Sequence, residues 1–379
     1  MHTTATPDER TWAEIDLAAL LHNFNIARAT GKQVMCVVKA DAYGHGMLPC
    51  AVFLEQHGAD AFAVACLQEA LELRLGGVKA PLLILGYTPS DYLPLLVGHD
   101  IIQTVVDECH ADELDEAANA AGVRLRVHVK IDTGMSRLGI FAQGEPYAQE
   151  AAAAVRRINE KRGLVVEGLY THCAVADTES EDAFTAYQAE NFAAVIGQLE
   201  SWGIRPPVCH AGNSACILRH PSLHFDMVRE GIMLYGMYPD SIPQENGMLR
   251  PVMSLKSRIA QIKELPAGTS VSYGRIYQTN CSARIALVSA GYADGYPRRL
   301  SNHAYAVIAG KQYPQVGRVC MDMLMADITG AQDIQRGDIV TLLGAGGMCM
   351  EEAAQAVGTV NYELTCLVCA RAKRVYVNG

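Results

Sequence analysis

Lys39 follows directly on the apolar run 34–38 and opens the string Val37-Val38-Lys39-Ala40-Asp41-Ala42-Tyr43-Gly44-His45-Gly46. An amine at the end of an apolar strand is partly desolvated, which favours its neutral, nucleophilic form. The commoner fate of such a lysine is to snorkel its ammonium into water, so its neighbours must decide. Groups able to do chemistry recur after later apolar runs. Lys130 and Arg137 lie in Val129-Lys130-Ile131-Asp132-Thr133-Gly134-Met135-Ser136-Arg137, and His172 closes Tyr170-Thr171-His172. Asn213 and Ser214 follow His210-Ala211-Gly212, and Arg229 stands in Met227-Val228-Arg229-Glu230-Gly231-Ile232. Amines and imidazoles move protons, guanidiniums stabilise negative charge, and a hydroxyl beside glycines can cradle a phosphate. Unmodified, Lys130 and Arg137 would be a like-charge pair. Later, Tyr273 sits in Val271-Ser272-Tyr273-Gly274. Tyr292 sits in Gly291-Tyr292-Ala293-Asp294-Gly295-Tyr296-Pro297, and Met321 in Gly317-Arg318-Val319-Cys320-Met321-Asp322.

The elements that would position these groups alternate. Short apolar, β-rich runs at 34–38, 61–66, 81–85, 101–106, 125–131, 164–170, 207–210 and 225–228 are separated by helical stretches such as 112–121 and 183–202. This α/β pattern fits an N-terminal (β/α)8 barrel of the TIM type, whose catalytic groups gather at the strands' C-terminal ends. A doubly wound open sheet fits the alternation too, although no GxGxxG follows the first strand. After about residue 247 the texture changes. Runs at 254–263, 283–289, 304–308, 323–328 and 338–343 are strand-like and punctuated by turn residues. We therefore expect a barrel over 11–243 and a mostly β domain over 244–379, joined at Gln244-Glu245-Asn246-Gly247. Residues 11–16 are expected to pair with the β domain.

Bulk properties narrow the partners. The 379 residues are half apolar and 19% charged, with a net charge of −10. That balance disfavours nucleic acid and anionic membranes but not a small zwitterion. No apolar run approaches the length needed to span a bilayer, and residues 1–10 are too polar for a signal peptide. Among the twelve cysteines only Cys366 and Cys369 form a CxxC, with no second pair at zinc spacing. Free thiols in a reducing cytoplasm, and no metal, are the expectation.

The string around Lys39 resembles the cofactor-attachment signature of the alanine racemase family, which are fold type III pyridoxal 5'-phosphate enzymes. The likeness runs from Thr11-Trp12-Ala13-Glu14-Ile15-Asp16 to Asn361-Tyr362-Glu363. It implies that Lys39 carries pyridoxal phosphate and removes a proton on one face of the substrate. Tyr43, Asn213, Ser214, Gly231 and Ile232 would hold the cofactor. Arg137 would donate to its phenolic oxygen, oriented by a carbamylated Lys130. His172 would pack on the ring, and Arg229 would face the ring nitrogen. An arginine cannot readily pass a proton to that nitrogen. The ring is then a weaker electron sink, which suits racemisation over transamination. Tyr273, from the partner subunit of a homodimer, would be the second base, helped by His172 with Arg229 behind it. Tyr292 would line the entrance, and Met321 would offer its N–H to the substrate carboxylate.

The resemblance implies interconversion of L- and D-alanine, a small-molecule amino-acid substrate, and D-alanine for cell-wall peptidoglycan. One departure stands out: where the family has a tyrosine just before the final arginine of the segment 361–371, this chain has Ala370. A wider substrate pocket follows, which keeps a serine racemase as the alternative. Amino-acid decarboxylases share the plan but place a carboxylate at the ring nitrogen, against Arg229. Single-domain cofactor-binding barrels lack the β domain and a counterpart of Tyr273.

Overall fold

The computed structural model describes residues 9–239, 242 and 248–379. Its strands in chain order are β1 (Thr11–Asp16), β2 (Gln33–Val37), β3 (Ala61–Val64), β4 (Leu82–Ile84), β5 (Ile102–Val105), β6 (Leu125–Asp132), β7 (Ile140–Phe141), β8 (Leu164–Tyr170), β9 (Val208–His210) and β10 (Met227–Glu230). Then follow β11 (Met253–Leu265), β12 (Ser270–Val271), β13 (Tyr277–Gln278), β14 (Ala283–Val288), β15 (Tyr305–Ile308), β16 (Lys311–Pro314), β17 (Leu324–Asp327), β18 (Ile339–Gly344) and β19 (Lys373–Val377).

Parallel strands run β10-β2-β3-β4-β5-β6-β8-β9, with helices between them. Bonds from Arg229 N to Gly212 O (2.8 Å) and Asp226 N to Cys209 O (3.0 Å) lace β10 to the β9 side. The result is the expected barrel, nearly closed, rather than an open sheet. Its strands are legible as apolar runs because both faces are covered: every residue of β3, β4 and β5 is buried. The helix Glu108–Ala121 begins earlier than its apolar pattern, because Asp107 caps it by accepting from His110 N at 2.7 Å. The eighth barrel strand starts at Met227, later than expected, because Phe225 takes a left-handed conformation (φ 46°) that no strand accommodates. Arg229 is therefore inside that strand rather than at its end.

The second unit is mostly β. One sheet runs β16-β15-β18-β11-β1-β19, and the long β11 also pairs with β14, which pairs with β17. Register shifts at Leu255/Lys256 and Ile259/Gln261 bend β11 so that it serves both groups of partners. β1 lies between β11, antiparallel, and β19, parallel. Segments from early and late in the sequence, 11–16 and 373–377, thus meet in one sheet. The helices Met350–Val357 and Asn361–Leu367 were not anticipated in this unit, nor was β19. The suggested linker 244–247 lies outside the described residues. No helix among the described residues is long and apolar enough to cross a membrane, and no His/Cys/Asp/Glu group there could hold a metal. All twelve cysteines are free.

Candidate active site at the barrel rim

Lys39 emerges from β2 into a turn that ordinary residues avoid. Ala40, Asp41, Ala42 and Tyr43 all have φ between 51° and 54°, at a cost of roughly 1–2 kcal/mol each. Such strain persists only where surroundings enforce it. Here Glu69 accepts from Ala40 N and Ala65 N, both at 2.7 Å, and Asp41 accepts from Met47 N at 2.8 Å. Arg374, on β19, donates twice to Gly44 O (2.9 and 2.7 Å), and the Tyr376 hydroxyl donates to His45 O. A Cβ on Gly44 would lie 2.2 Å from Thr365 O, so only glycine lets the C-terminal segment pack this closely. Burial, and then the charge of Arg137, lower the pKa of the Lys39 amine.

The turn borders a cavity of about 550 Å³ at the C-terminal ends of the barrel strands. Lys39, Tyr43, Lys130, Arg137, His172, Asn213, Ser214, Arg229, Gly231 and Ile232 all border it. On one side Ser214 Oγ accepts from Gly231 N at 3.0 Å and Met233 N at 3.4 Å. A Cβ on Gly231 would stand 3.2 Å from the Tyr43 hydroxyl, so this glycine keeps a small polar hollow open. Ile232 opens the short helix Ile232–Tyr235, where its N–H has no partner within the helix. Asn213 plays a different part: its Oδ1 caps the helix Ser214–Arg219 through Cys216 N, and so sets the position of Ser214.

On the other side lies Arg229. Its Nη atoms donate to the carbonyls of Thr171 (2.7 Å), Ala211 (2.9 Å) and His210 (3.1 Å), and meet His210 Nδ1 at 2.9 Å and His172 Nδ1 at 3.3 Å. Its Nε–H makes no hydrogen bond among the described residues. Because arginine only donates, His172 Nδ1 is an acceptor and the ring's proton sits on Nε2. Burial, followed by Arg229, holds His172 well below its ordinary pKa, hence neutral. Lys130 is buried, and among the described residues its Nζ has no hydrogen-bond partner; it lies 4.6 Å from the Tyr170 ring centre. Burial, then Arg229 and Arg137, push its pKa far down. Gly139 lets the following loop close on it, since a Cβ there would sit 2.8 Å from Lys130 Cγ.

Three expected residues lie elsewhere in the chain. Tyr273, Met321 and Tyr292 are exposed, at 70%, 53% and 42%, and none borders this cavity. Tyr273 and Met321 share a groove on the β unit. Tyr273 rides on a turn with left-handed Ser272, Gly274 and Arg275 (φ 65°, 72° and 51°). Tyr292 N donates to Cys320 O at 3.1 Å and Ala293 N to Met321 O at 3.0 Å, so these two loops are tied together. Ala370 also departs from expectation. It is exposed and borders a neighbouring groove with Lys373 and Arg374, not the cavity. The C-terminal residues that do reach the cavity are Tyr362 and Cys366. Tyr362 faces Tyr43, with ring centres 6.2 Å apart. The sequence motifs contain Tyr362, Tyr170 and His210 but give none of them a role.

A concave pocket lined by titratable groups at the C-terminal rim of a barrel is where enzymes of this fold bind small molecules. Residues 15–239 match the alanine racemase N-terminal domain, and residues 252–376 its C-terminal domain. A Methanococcus maripaludis alanine racemase is 41% identical over 97% of this chain and 98% of its own length. One from Desulfovibrio desulfuricans is 42% identical over 98% and 99%. Among solved structures, the alanine racemase of Clostridium difficile 630 superposes with a TM-score of 0.90 at 38% identity, covering 99% of this chain and 97% of that one. That of Bacillus anthracis with bound L-Ala-P gives 0.87 at 33%, covering 99% and 97%. The chain is an enzyme of the alanine racemase family.

Proposed function

We propose that this chain interconverts L- and D-alanine by proton exchange at Cα between two bases on opposite faces of the substrate. The observation that carries the reading is the convergence of a depressed-pKa lysine, a neutral histidine backed by arginine, and a polar hollow on one cavity. The hollow of Tyr43, Ser214, Gly231 and Ile232 fits a phosphate, and Lys39 fits a carbonyl cofactor, so pyridoxal 5'-phosphate suits the donor set. When bound, that cofactor supplies an electron-withdrawing ring conjugated to the substrate nitrogen. Lys39 would hold it in the absence of substrate, and once the substrate's amino group displaced it from that bond, its free amine would take or return the α-proton on its own face. The Arg229 Nε–H is the free edge that can donate to the ring nitrogen without surrendering its proton. Arg137 would donate to the phenolic oxygen.

A buried Lys130 whose pKa is pushed far down can react as its free amine with carbon dioxide, releasing one proton to solvent, and the resulting carbamate anion would pair with Arg137. The second base is Tyr273 of a second copy of the chain, which makes the enzyme a homodimer with shared sites. His172, protonated on Nε2, donates to that tyrosine's oxygen and so favours its ionised form. Tyr292 narrows the entrance, and Met321 N–H meets the substrate carboxylate. We further assign cofactor binding to 11–243 and the partner-facing surface to 244–379, a cytoplasmic location, and D-alanine supply for peptidoglycan. Serine preference loses its motive, since Ala370 stands outside the cavity.

The test is chiral analysis of alanine after incubation of either enantiomer, with and without added pyridoxal phosphate. Cofactor-dependent approach to an equal mixture from both sides is expected. Conversion of alanine to pyruvate or ethylamine instead would overturn the reading. The ratio of kcat/KM for alanine and serine should favour alanine.

A further inference from the structure

Beneath the cavity the barrel interior holds two imidazoles that the proposed exchange does not touch. His128 lies two residues before Lys130 on β6, so both side chains point inward, and His210 ends β9. His128 Nδ1 and His210 Nε2 are 3.0 Å apart, and the other His210 nitrogen, Nδ1, is 2.9 Å from Arg229. Both rings are buried. Burial, then nearby arginines, pushes His128 down to about 3, and burial with Arg229 holds His210 well below its ordinary value. Both rings are therefore neutral.

Neutrality fixes every proton in the chain. Arginine has no acceptor, so His210 Nδ1 must present its lone pair. The one proton of neutral His210 then sits on Nε2 and points at His128 Nδ1, which must accept. The proton of His128 is consequently on Nε2. Were the pair reversed, His210 would turn an N–H toward Arg229. Two further features hold this arrangement. Gly168 faces His128 in the β6–β8 register, and a Cβ there would be 2.4 Å from the imidazole. Only glycine leaves room for the ring. Tyr170 lies flat on His210 (ring centres 4.9 Å, planes within 8°), with its hydroxyl 2.9 Å from that of Thr104.

We propose that His128 is a positioning residue: by accepting from His210 it fixes the tautomer that accepts from Arg229, and so aims Arg229 at the cavity. The inference rests on the reading of Arg229 as the group facing the cofactor ring. Removing the acceptor leaves an unpaired buried N–H, which favours the wrong tautomer of His210.

Nitrogen NMR of the cofactor-loaded enzyme labelled with 15N-histidine reads the tautomers without turnover. His210 should carry its proton on Nε2 with a bare Nδ1; an Nδ1–H or an imidazolium overturns the proposal. Kinetics supply the second arm. His128→Asn keeps an acceptor where Nδ1 was, and kcat should stay within about twofold. His128→Phe keeps the ring without the acceptor, and kcat should fall about tenfold with KM nearly unchanged. Equal kcat in the two variants overturns the proposal. If His128→Phe does not fold, the nitrogen spectrum decides alone. A chain with the expected tautomer but no alanine exchange would refute the racemase reading and leave the tautomer assignment standing.

Discussion

The Lys39 cavity and the Tyr273 groove are built on opposite principles. On the Lys39 side Arg229 is enclosed and engaged, donating to three carbonyls and two imidazoles, while Arg137 stays exposed at the rim. Tyr273 instead stands 70% exposed on a strained turn, with Met321 in the same groove. A chemical group held rigidly yet left open is poised for something that arrives from outside the chain. On this account each chain contributes an enclosed half of one site and an exposed half of another. The enclosed half sets protonation states through burial, and the exposed half acquires its environment on assembly.

The comparison breaks most sharply at the lysine. Lys39→Ala should lower racemisation by at least about 1000-fold and abolish borohydride-trappable cofactor, with the fold retained by circular dichroism. Trapping on another lysine would move the enclosed half elsewhere. Tyr273→Phe should cost about 100- to 1000-fold in kcat while cofactor attachment survives. Loss of attachment would mean that Tyr273 belongs to the enclosed half. Smaller effects separate the two C-terminal candidates. Tyr362→Ala should shift the alanine/serine ratio of kcat/KM by up to about tenfold toward serine, and Ala370→Tyr by less than about twofold. The opposite ranking would place residue 370 in the substrate pocket.

The mildest test concerns pH. His45 and His128 are pushed down to about 4 and about 3 by burial, and His172 and His210 lie well below their ordinary value. The unfolded chain therefore binds protons near pH 6.5 that the folded chain refuses. The histidine contribution to stability is full above that pH and is lost as pH falls toward the histidines' folded values. Glu230, whose buried carboxyl is pushed up, opposes the trend, but the histidines outnumber it. Urea midpoints converted to free energy should fall by at least about 1.4 kcal/mol per pH unit between pH 6 and 5. A flat profile there would mean that these imidazoles are already charged in the fold.

Much of this was legible in the sequence. Barrel strands buried on both faces write themselves as apolar runs, and the chemistry-bearing residues follow those runs, so Lys39, His172 and Ser214 could be placed. The eighth strand was set too early, because nothing marks Phe225 as left-handed. In the sequence Tyr362 and Cys366 carry no site role because their relation is helical: four apart on the helix Asn361–Leu367, they share the face toward the cavity, and Ala370 falls beyond it. The His128–His210 contact joins residues from different strands, which no local pattern reveals.

The division of the site between chains is tested most directly by mixing two inactive variants, Lys39→Ala and Tyr273→Phe. After verified subunit exchange, half the dimers are mixed, and each mixed dimer has one intact site and one doubly defective site. Activity should recover to about a quarter of that of the unmutated enzyme. No recovery, with mixed dimers confirmed by mass, would contradict a site shared between two copies.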